Sequence, residues 1–155
     1  MSARFWLVIP AAGIGARMAA DRPKQYLQVA GRSILEHTLQ RFLDHPALRG
    51  VVVSLAADDP YWPVLAVASD PRIRRAAGGR ERADSVLAGL ETLKNEGAAA
   101  DAWVRVHDAA RPNLAQEDLQ RLLDSLADDP VGGLLAVPAR DTLKRAGADG
   151  RVQET

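Results

Sequence analysis

Apolar residues fall along this chain in two alternating styles. Short continuous runs occupy residues 5–9, 50–55, 72–76, 103–107 and 133–137. Continuous rather than alternating runs of this length are expected of parallel strands covered on both faces. Between them the apolar spacing turns helical. Residues 33–43 put Ile34, Leu35, Thr38, Leu39, Phe42 and Leu43 on one face, residues 82–95 carry Val86, Leu87, Leu90 and Leu93, and residues 116–126 carry Leu119, Leu122, Leu123 and Leu126. Leu65 and its neighbouring alanines predict a short helix after Trp62-Pro63, and residues 95–101 read as a loop. Strand–helix alternation of this kind predicts an α/β fold, Rossmann-like, with a mostly parallel sheet and helices on both faces.

The C-terminal end breaks the alternation. Residues 138–145 read as an extended segment, 146–150 as a Gly/Asp turn, and 151–155 as a second strand just beginning. The organisation expected is therefore one α/β domain over residues 1–137, followed by the start of a β-arm over residues 138–155. A hairpin that stops in mid-strand leaves its edge open, so the 155 residues are expected to belong to a longer whole.

Composition narrows the function. Twenty basic and twenty acidic residues cancel, which argues against a general nucleic-acid or membrane-surface binder and makes any anion site a local one. The absence of cysteine excludes disulfides and thiolate metal sites. The first apolar run is short and ends at Pro10, unlike a secretory leader. No run approaches the ~20 apolar residues of a membrane span. A soluble, cytoplasmic domain is the expectation.

The chemistry concentrates after the predicted strands, where parallel sheets place their ligand crevices. Strand 5–9 leads into Pro10, Ala11, Ala12, Gly13 and Gly15, with Arg17 and Lys24 beyond. Small residues let backbone N–H groups approach a polyphosphate, and the cations neutralise its oxygens. The loop is neither a P-loop, since no Lys-Ser or Lys-Thr follows the glycines, nor a dinucleotide fingerprint, since Met18 stands where the third glycine belongs. The latter point, with no acidic residue ending the second strand, disfavours an NAD-type oxidoreductase. The glycines alone are equally compatible with a plain strand-to-helix turn. The third strand leads into Gly78-Gly79-Arg80-Glu81-Arg82-Ala83-Asp84-Ser85, in which Ser85 offers a hydroxyl to base or ribose and Arg82 is a phosphate contact or a helix-surface charge. The fourth leads into His107-Asp108-Ala109-Ala110-Arg111-Pro112. Asp108 suits Mg²⁺, which takes one or two carboxylates plus substrate phosphates, and Arg111 suits a second phosphate. An Asp–Arg ion pair that merely braces the loop is the alternative. His107 reads as a structural residue, and His37 and His45 as surface or helix-end residues. No protein nucleophile is evident, which suits direct phosphoryl or nucleotidyl transfer.

The motifs PAAGIGARM, RPKQYL, ILEHTL, GGRERADSVLAGL, VHDAARP and PARDTLKR, in that order, resemble the 2-C-methyl-D-erythritol 4-phosphate cytidylyltransferases. The ribitol-5-phosphate cytidylyltransferases share the layout but usually carry Ser-Val where this chain has Ala109-Ala110; they, and a non-catalytic nucleotide-binding module, are the competing readings. The resemblance implies a Rossmann-like nucleotidyltransferase sheet with a β-arm that embraces a second subunit in a homodimer. It implies Mg²⁺-dependent transfer of CMP from CTP to 2-C-methyl-D-erythritol 4-phosphate, releasing pyrophosphate, in non-mevalonate isoprenoid biosynthesis. Carried over by motif, Arg17 and Lys24 are catalytic. Ala11, Ala12, Gly13, Gly15, Gly79, Arg82, Ser85 and Ala109 bind CTP, Arg111 and Thr142 bind the methylerythritol phosphate, and Asp108 holds Mg²⁺. Arg80 departs from the small or acidic residue often found at its position. The family continues past residue 155 with a further substrate-positioning Arg, an Asp and a Lys, so the 155-residue chain alone is expected to be inactive or poorly folded.

Overall fold

In a computed structural model of the chain, which describes residues 4–13 and 22–155, the sheet is built from four strands. These are β1 (Phe5–Pro10), β4 (Leu48–Leu55), β5 (Ile73–Ala77) and β6 (Trp103–Val106). Their order is β5–β4–β1–β6 and every pairing is parallel. The first strand therefore lies inside the sheet, and the chain steps to one side for β4 and β5 before returning to the other for β6. That reversal puts the topological switch point between β1 and β6, where open parallel sheets hold ligands beyond the strands' carboxyl ends.

Both faces are covered, as the continuous apolar runs require. Phe5, Leu7 and Ile9 of β1 point to one face with Val51, Val53 and Leu55 of β4. They pack against Leu35, Leu39 and Phe42 of α1 (Ile34–Leu43) and against Leu119 and Leu123 of α3 (Gln116–Ser125). The opposite face is thinner: Val8, Val52 and Leu93 form its buried centre beneath α2 (Arg82–Asn95). α1 starts at a complete capping box. Ser33 Oγ accepts from the Glu36 N–H, and the Glu36 carboxylate accepts from the Ser33 N–H at 2.9 Å.

Three expectations need correction. Residues 133–137 form no strand; Leu134, Leu135 and Val137 are exposed, and the segment pairs with none of the described strands. Apolar side chains favour a strand where they pack on a half-buried, pleated surface, and these three have no covering layer. The face of α2 is also different. Leu87 and Leu90 are exposed, and the helix meets the sheet through Ser85, Gly89 and Leu93. Gly89 is needed for this approach, since a Cβ there would sit 2.5 Å from Val8 Cγ1. Finally, the stretch around Leu65 is two 3₁₀ turns, Trp62–Val64 and Ala66–Ser69, rather than one helix.

Two small hairpins complete the description. β2 (Gln28–Val29) and β3 (Arg32–Ser33) are joined by Ala30 and Gly31, both at positive φ. β7 (Arg145–Ala146) pairs antiparallel with β8 (Val152–Glu154), the extended–turn–strand pattern expected of the tail. All residues of β7 and β8 are exposed.

Candidate active site at the switch point

A cleft of about 460 Å³ opens beyond the carboxyl ends of β1, β5 and β6. The residues after β1 are its floor. Ala11 is buried and tied to β4 by its N–H, which donates to the Ser54 carbonyl at 2.8 Å. Ala12 and Gly13 line the cleft beside it. Gly15 and Arg17 lie outside the described residues.

Lys24 reaches the cleft from a 3₁₀ turn, Lys24–Tyr26, in which it is exposed while Gln25 and Tyr26 are buried. The turn is fixed from the far side by Tyr26, whose hydroxyl donates to Asp59 at 2.6 Å and whose ring stacks on Tyr61. Burial, reinforced by the Asp59 carboxylate, pushes the Tyr26 phenol far up, so it stays a neutral donor.

The wall after β5 is organised by Ser85. The residue is 3% exposed, and its hydroxyl accepts from the Gly79 N–H at 3.1 Å and donates to the Glu81 carbonyl at 3.2 Å. The Ser85 carbonyl in turn accepts from Ser54 Oγ at 2.7 Å, so the first turn of α2 is bonded to the interior of β4. The expected hydroxyl is thus in the cleft, but both its hydrogen-bonding roles are filled by the loop it shapes.

Asp108 stands one residue beyond His107, directly after β6, between two arginines. Arg82 Nη2 donates to Oδ1 at 2.9 Å, and Arg111 Nε donates to Oδ2 at 2.8 Å. Burial alone would raise the carboxyl pKa and is the largest single influence. The hydrogen bonds and charges of Arg82 and Arg111 together outweigh it and hold Asp108 below its ordinary range. All three side chains are substantially exposed, at 62%, 75% and 39% for Arg82, Arg111 and Asp108. Pairs as wet as these contribute about 0–1 kcal/mol each, so an incoming phosphate can take either guanidinium at little cost. His107 does the structural work expected of it: its ring packs edge-on against Phe42, and Nε2 donates to the Arg111 carbonyl at 2.9 Å. His45, just past α1, is buried against Phe5.

The cleft therefore gathers Ala11, Ala12, Gly13, Lys24, Gly79, Arg82, Ser85, Asp108, Ala109 and Arg111 from four separate stretches of sequence. Thr142 does not line it and is exposed in the tail. Four lining residues carried no role in the sequence reading: Pro10, Gln25, Glu81 and Ala110. Arg80, noted there as a departure, also lines the wall, giving four cations against two carboxylates among the described lining residues. As a metal site, the cleft offers Asp108 beyond β6 and Glu81, whose carboxylate caps the start of α2, and no group of three or more His, Cys, Asp or Glu is assembled among the described residues. That set fits an ion that takes most of its ligands from water and phosphate oxygens, as Mg²⁺ does, and not a dedicated protein cage.

Comparison with known proteins bears on the family and the fold. The family model for 2-C-methyl-D-erythritol 4-phosphate cytidylyltransferase matches residues 5–155. A protein of that name from Ectopseudomonas mendocina (strain ymp) is 78% identical over 155 residues, covering 100% of this chain and 66% of the relative. The chain thus spans just under two thirds of that relative's length. Among solved structures, a 4-diphosphocytidyl-2C-methyl-D-erythritol synthase superposes with TM-score 0.81 at 35% identity, over 99% of this chain and 68% of that one. The Francisella tularensis 2-C-methyl-D-erythritol 4-phosphate cytidylyltransferase gives TM-score 0.79 at 30% identity, over 99% and 67%. With its nucleotidyltransferase-like sheet and this extent of matching sequence, the chain belongs to the 2-C-methyl-D-erythritol 4-phosphate cytidylyltransferase family.

Proposed function

We propose that the protein transfers CMP from CTP to 2-C-methyl-D-erythritol 4-phosphate, releasing pyrophosphate, in a step of isoprenoid precursor synthesis. The observation that carries this reading is the convergence of Lys24, Arg82 and Arg111 with the Asp108 carboxylate around a backbone floor nearly free of side chains. The acceptor's phosphate oxygen attacks the α-phosphorus of CTP. A new P–O bond forms, the bond to the β-phosphate's bridging oxygen breaks, and pyrophosphate leaves with the electron pair. A phosphate monoester is already deprotonated at neutral pH, so the step needs no general base. This agrees with a cleft whose two described carboxylates are Glu81, at the start of α2, and Asp108, engaged by arginines. Catalysis then rests on alignment and on cations facing the developing charge.

In this reading Ala11, Ala12, Gly13 and Gly15 let CTP approach the backbone, and Gly79, Ser85 and Ala109 face its nucleoside side. Lys24, with Arg17, faces the charge that grows on the leaving pyrophosphate. Arg82 exchanges Asp108 for a CTP phosphate, and Arg111, with Thr142, takes the acceptor phosphate. Asp108, freed of the arginines, would hold Mg²⁺, which supplies charge neutralisation on the phosphates when bound. The exposed β7–β8 hairpin is the proposed dimer arm. Among the described residues no helix is long and apolar enough to cross a membrane, and we assign the protein to the cytoplasm.

The test is pyrophosphate release from CTP and Mg²⁺ with methylerythritol phosphate, ribitol 5-phosphate or no acceptor. Release specific to the first supports the reading; release with ribitol 5-phosphate alone, or with neither acceptor, refutes it. Lys24→Ala should lower kcat by about 100-fold or more while melting like the parent, because one donor aimed at developing charge is worth roughly 3–4 kcal/mol. A near-normal rate would remove Lys24 from the catalytic group.

A further inference from the structure

Gln25 is a polar residue only 4% exposed, between the exposed Lys24 and the buried Tyr26. Its side-chain nitrogen lies 2.8 Å from the Ala11 carbonyl oxygen and 3.0 Å from the Gly13 carbonyl oxygen. Both partners are acceptors, so the NH₂ of the carboxamide must face them, and both its hydrogens are used. One side chain thus bridges two carbonyls of the cleft floor and joins them to the turn that carries Lys24.

The bridge has a directional consequence. Across a trans peptide the carbonyl and the following N–H point to opposite sides, and none of the described peptides is cis. Holding the Ala11 carbonyl toward Gln25 therefore turns the Ala12 N–H away from it. The other ends of the bridge are also fixed. Ala11 is tied to β4 through Ser54, and the turn is tied to Asp59 through Tyr26. Asp59 itself accepts the N–H groups of Tyr61 and Trp62 through its second oxygen. Gln25 is the one direct hydrogen-bonded link described between the turn and the floor.

We propose that Gln25 is a positioning residue: its carboxamide sets the separation between Lys24 and the Ala11–Gly13 backbone, so that cation and floor grip one polyphosphate in register. The proposal rests on the cytidylyl-transfer reading. Misplacement of a catalytic group by about 1 Å costs on the order of 100-fold in rate. Gln25→Met, which keeps length and apolar volume but loses both donors, should therefore lower kcat by about 10- to 100-fold. It should do so chiefly through Lys24.

The experiment is a double-mutant cycle in the intact protein, using CTP, Mg²⁺ and methylerythritol phosphate with pyrophosphate release as readout. Gln25→Met is compared with the parent, and Gln25→Met/Lys24→Ala with Lys24→Ala. The expected result is that the Gln25 effect shrinks to below about 3-fold once Lys24 is gone, since coupled sites are non-additive. An equal loss in both backgrounds overturns the proposal, because a purely structural defect does not depend on Lys24. Gln25→Glu, of the same length but facing the two carbonyls with acceptors, serves if the Met variant does not fold and is expected to give the same pattern.

Amide hydrogen exchange reads the bridge independently of turnover. In Gln25→Met, peptides spanning residues 4–13 and 22–27 should exchange about 10-fold faster while those of β4 are unchanged. If the parent does not turn over CTP, the functional reading fails, and affinity for inorganic pyrophosphate replaces kcat in the same cycle. Unchanged exchange in these peptides would overturn the bridge in either case.

Discussion

Gly78 shows how tightly the two sides of the cleft meet. It follows β5, donates its N–H to the Leu55 carbonyl at 2.7 Å, and lies against Ala12 of the floor. A Cβ at position 78 would be under 3.0 Å from the Ala12 Cβ, 3.1 Å from the Leu55 carbonyl oxygen and 3.3 Å from Ser85 Oγ. Carbon atoms settle at about 3.5–4.0 Å, so Gly78→Ala demands a shift of more than about 0.5 Å. None of the neighbours is a flexible side-chain end. The Leu55 carbonyl belongs to the sheet, Ser85 is bonded on both sides, and the floor is held through Ser54 and Gln25. Overpacking of this kind costs about 1–3 kcal/mol. For a domain of this size each kcal/mol is about 2–4 °C, so the Tm should fall by roughly 2–12 °C. CTP affinity should fall as well, because the most direct relief displaces Ala12 into the cleft. The assay is thermal melting with calorimetric CTP titration of the parent, Gly78→Ala, Ala12→Gly and the double variant. Moving the methyl from one side of the contact to the other removes the clash, so Gly78→Ala/Ala12→Gly should be more stable than Gly78→Ala. A Tm for Gly78→Ala within about 1 °C of the parent, or a double variant no better than the single, would refute a close contact between the two loops.

Ser85→Ala should cost about 1–3 kcal/mol, because it strips the Gly79 N–H of its acceptor inside the protein; chemical denaturation measures it, and CTP affinity should weaken with it as the 78–81 loop loosens. For Asp108 the sign of the pH effect follows from its depressed pKa. Its ion pairs stabilise the fold at pH values above the ordinary carboxylate range and are lost as pH falls through the lowered value. The stability difference between the parent and Asp108→Asn should therefore be constant from about pH 5 to 8, below about 1 kcal/mol per pair, and should vanish in strong acid. Melts across that range check it, and a difference that already disappears near pH 6 would contradict the paired carboxylate.

The strands that reached the sheet were legible because parallel strands buried on both faces cannot alternate, and residues 5–9, 50–55 and 72–76 shift by at most a residue or two against the observed ladder. Residues 133–137 share that apolar character and form no strand, since sequence does not state whether a layer is available to cover them. The packing of α2 was hidden for a related reason. A helix pressed close to a sheet uses its smallest side chains, so Ser85 and Gly89 face inward while the more obvious Leu87 and Leu90 do not. In the site, small residues and charges after strand ends were readable from topology rules. The pairing of Asp108 with Arg111 was foreseen only as the alternative to a metal ligand, and its pairing with Arg82, from the far wall, was not foreseen. Gln25 escaped because a glutamine beside a lysine looks like solvated surface. Only the 3₁₀ turn reveals that residue 25 faces inward while residue 24 faces out.

The unequal thickness of the two layers governs how the molecule opens. α1 and α3 cover the large apolar cluster, while α2 is held by the small cluster centred on Val8, Val52 and Leu93. Segments with less buried apolar area detach at lower free energy than the whole domain. α2 is therefore the layer expected to exchange its amides and admit proteases first. Its detachment takes Arg82 and Ser85 with it while Asp108 and Arg111 stay beyond β6. A ligand that bridges Arg82 to the opposite wall resists that event directly, so nucleotide binding should be visible as protection of α2 well before it is visible as a change in global melting.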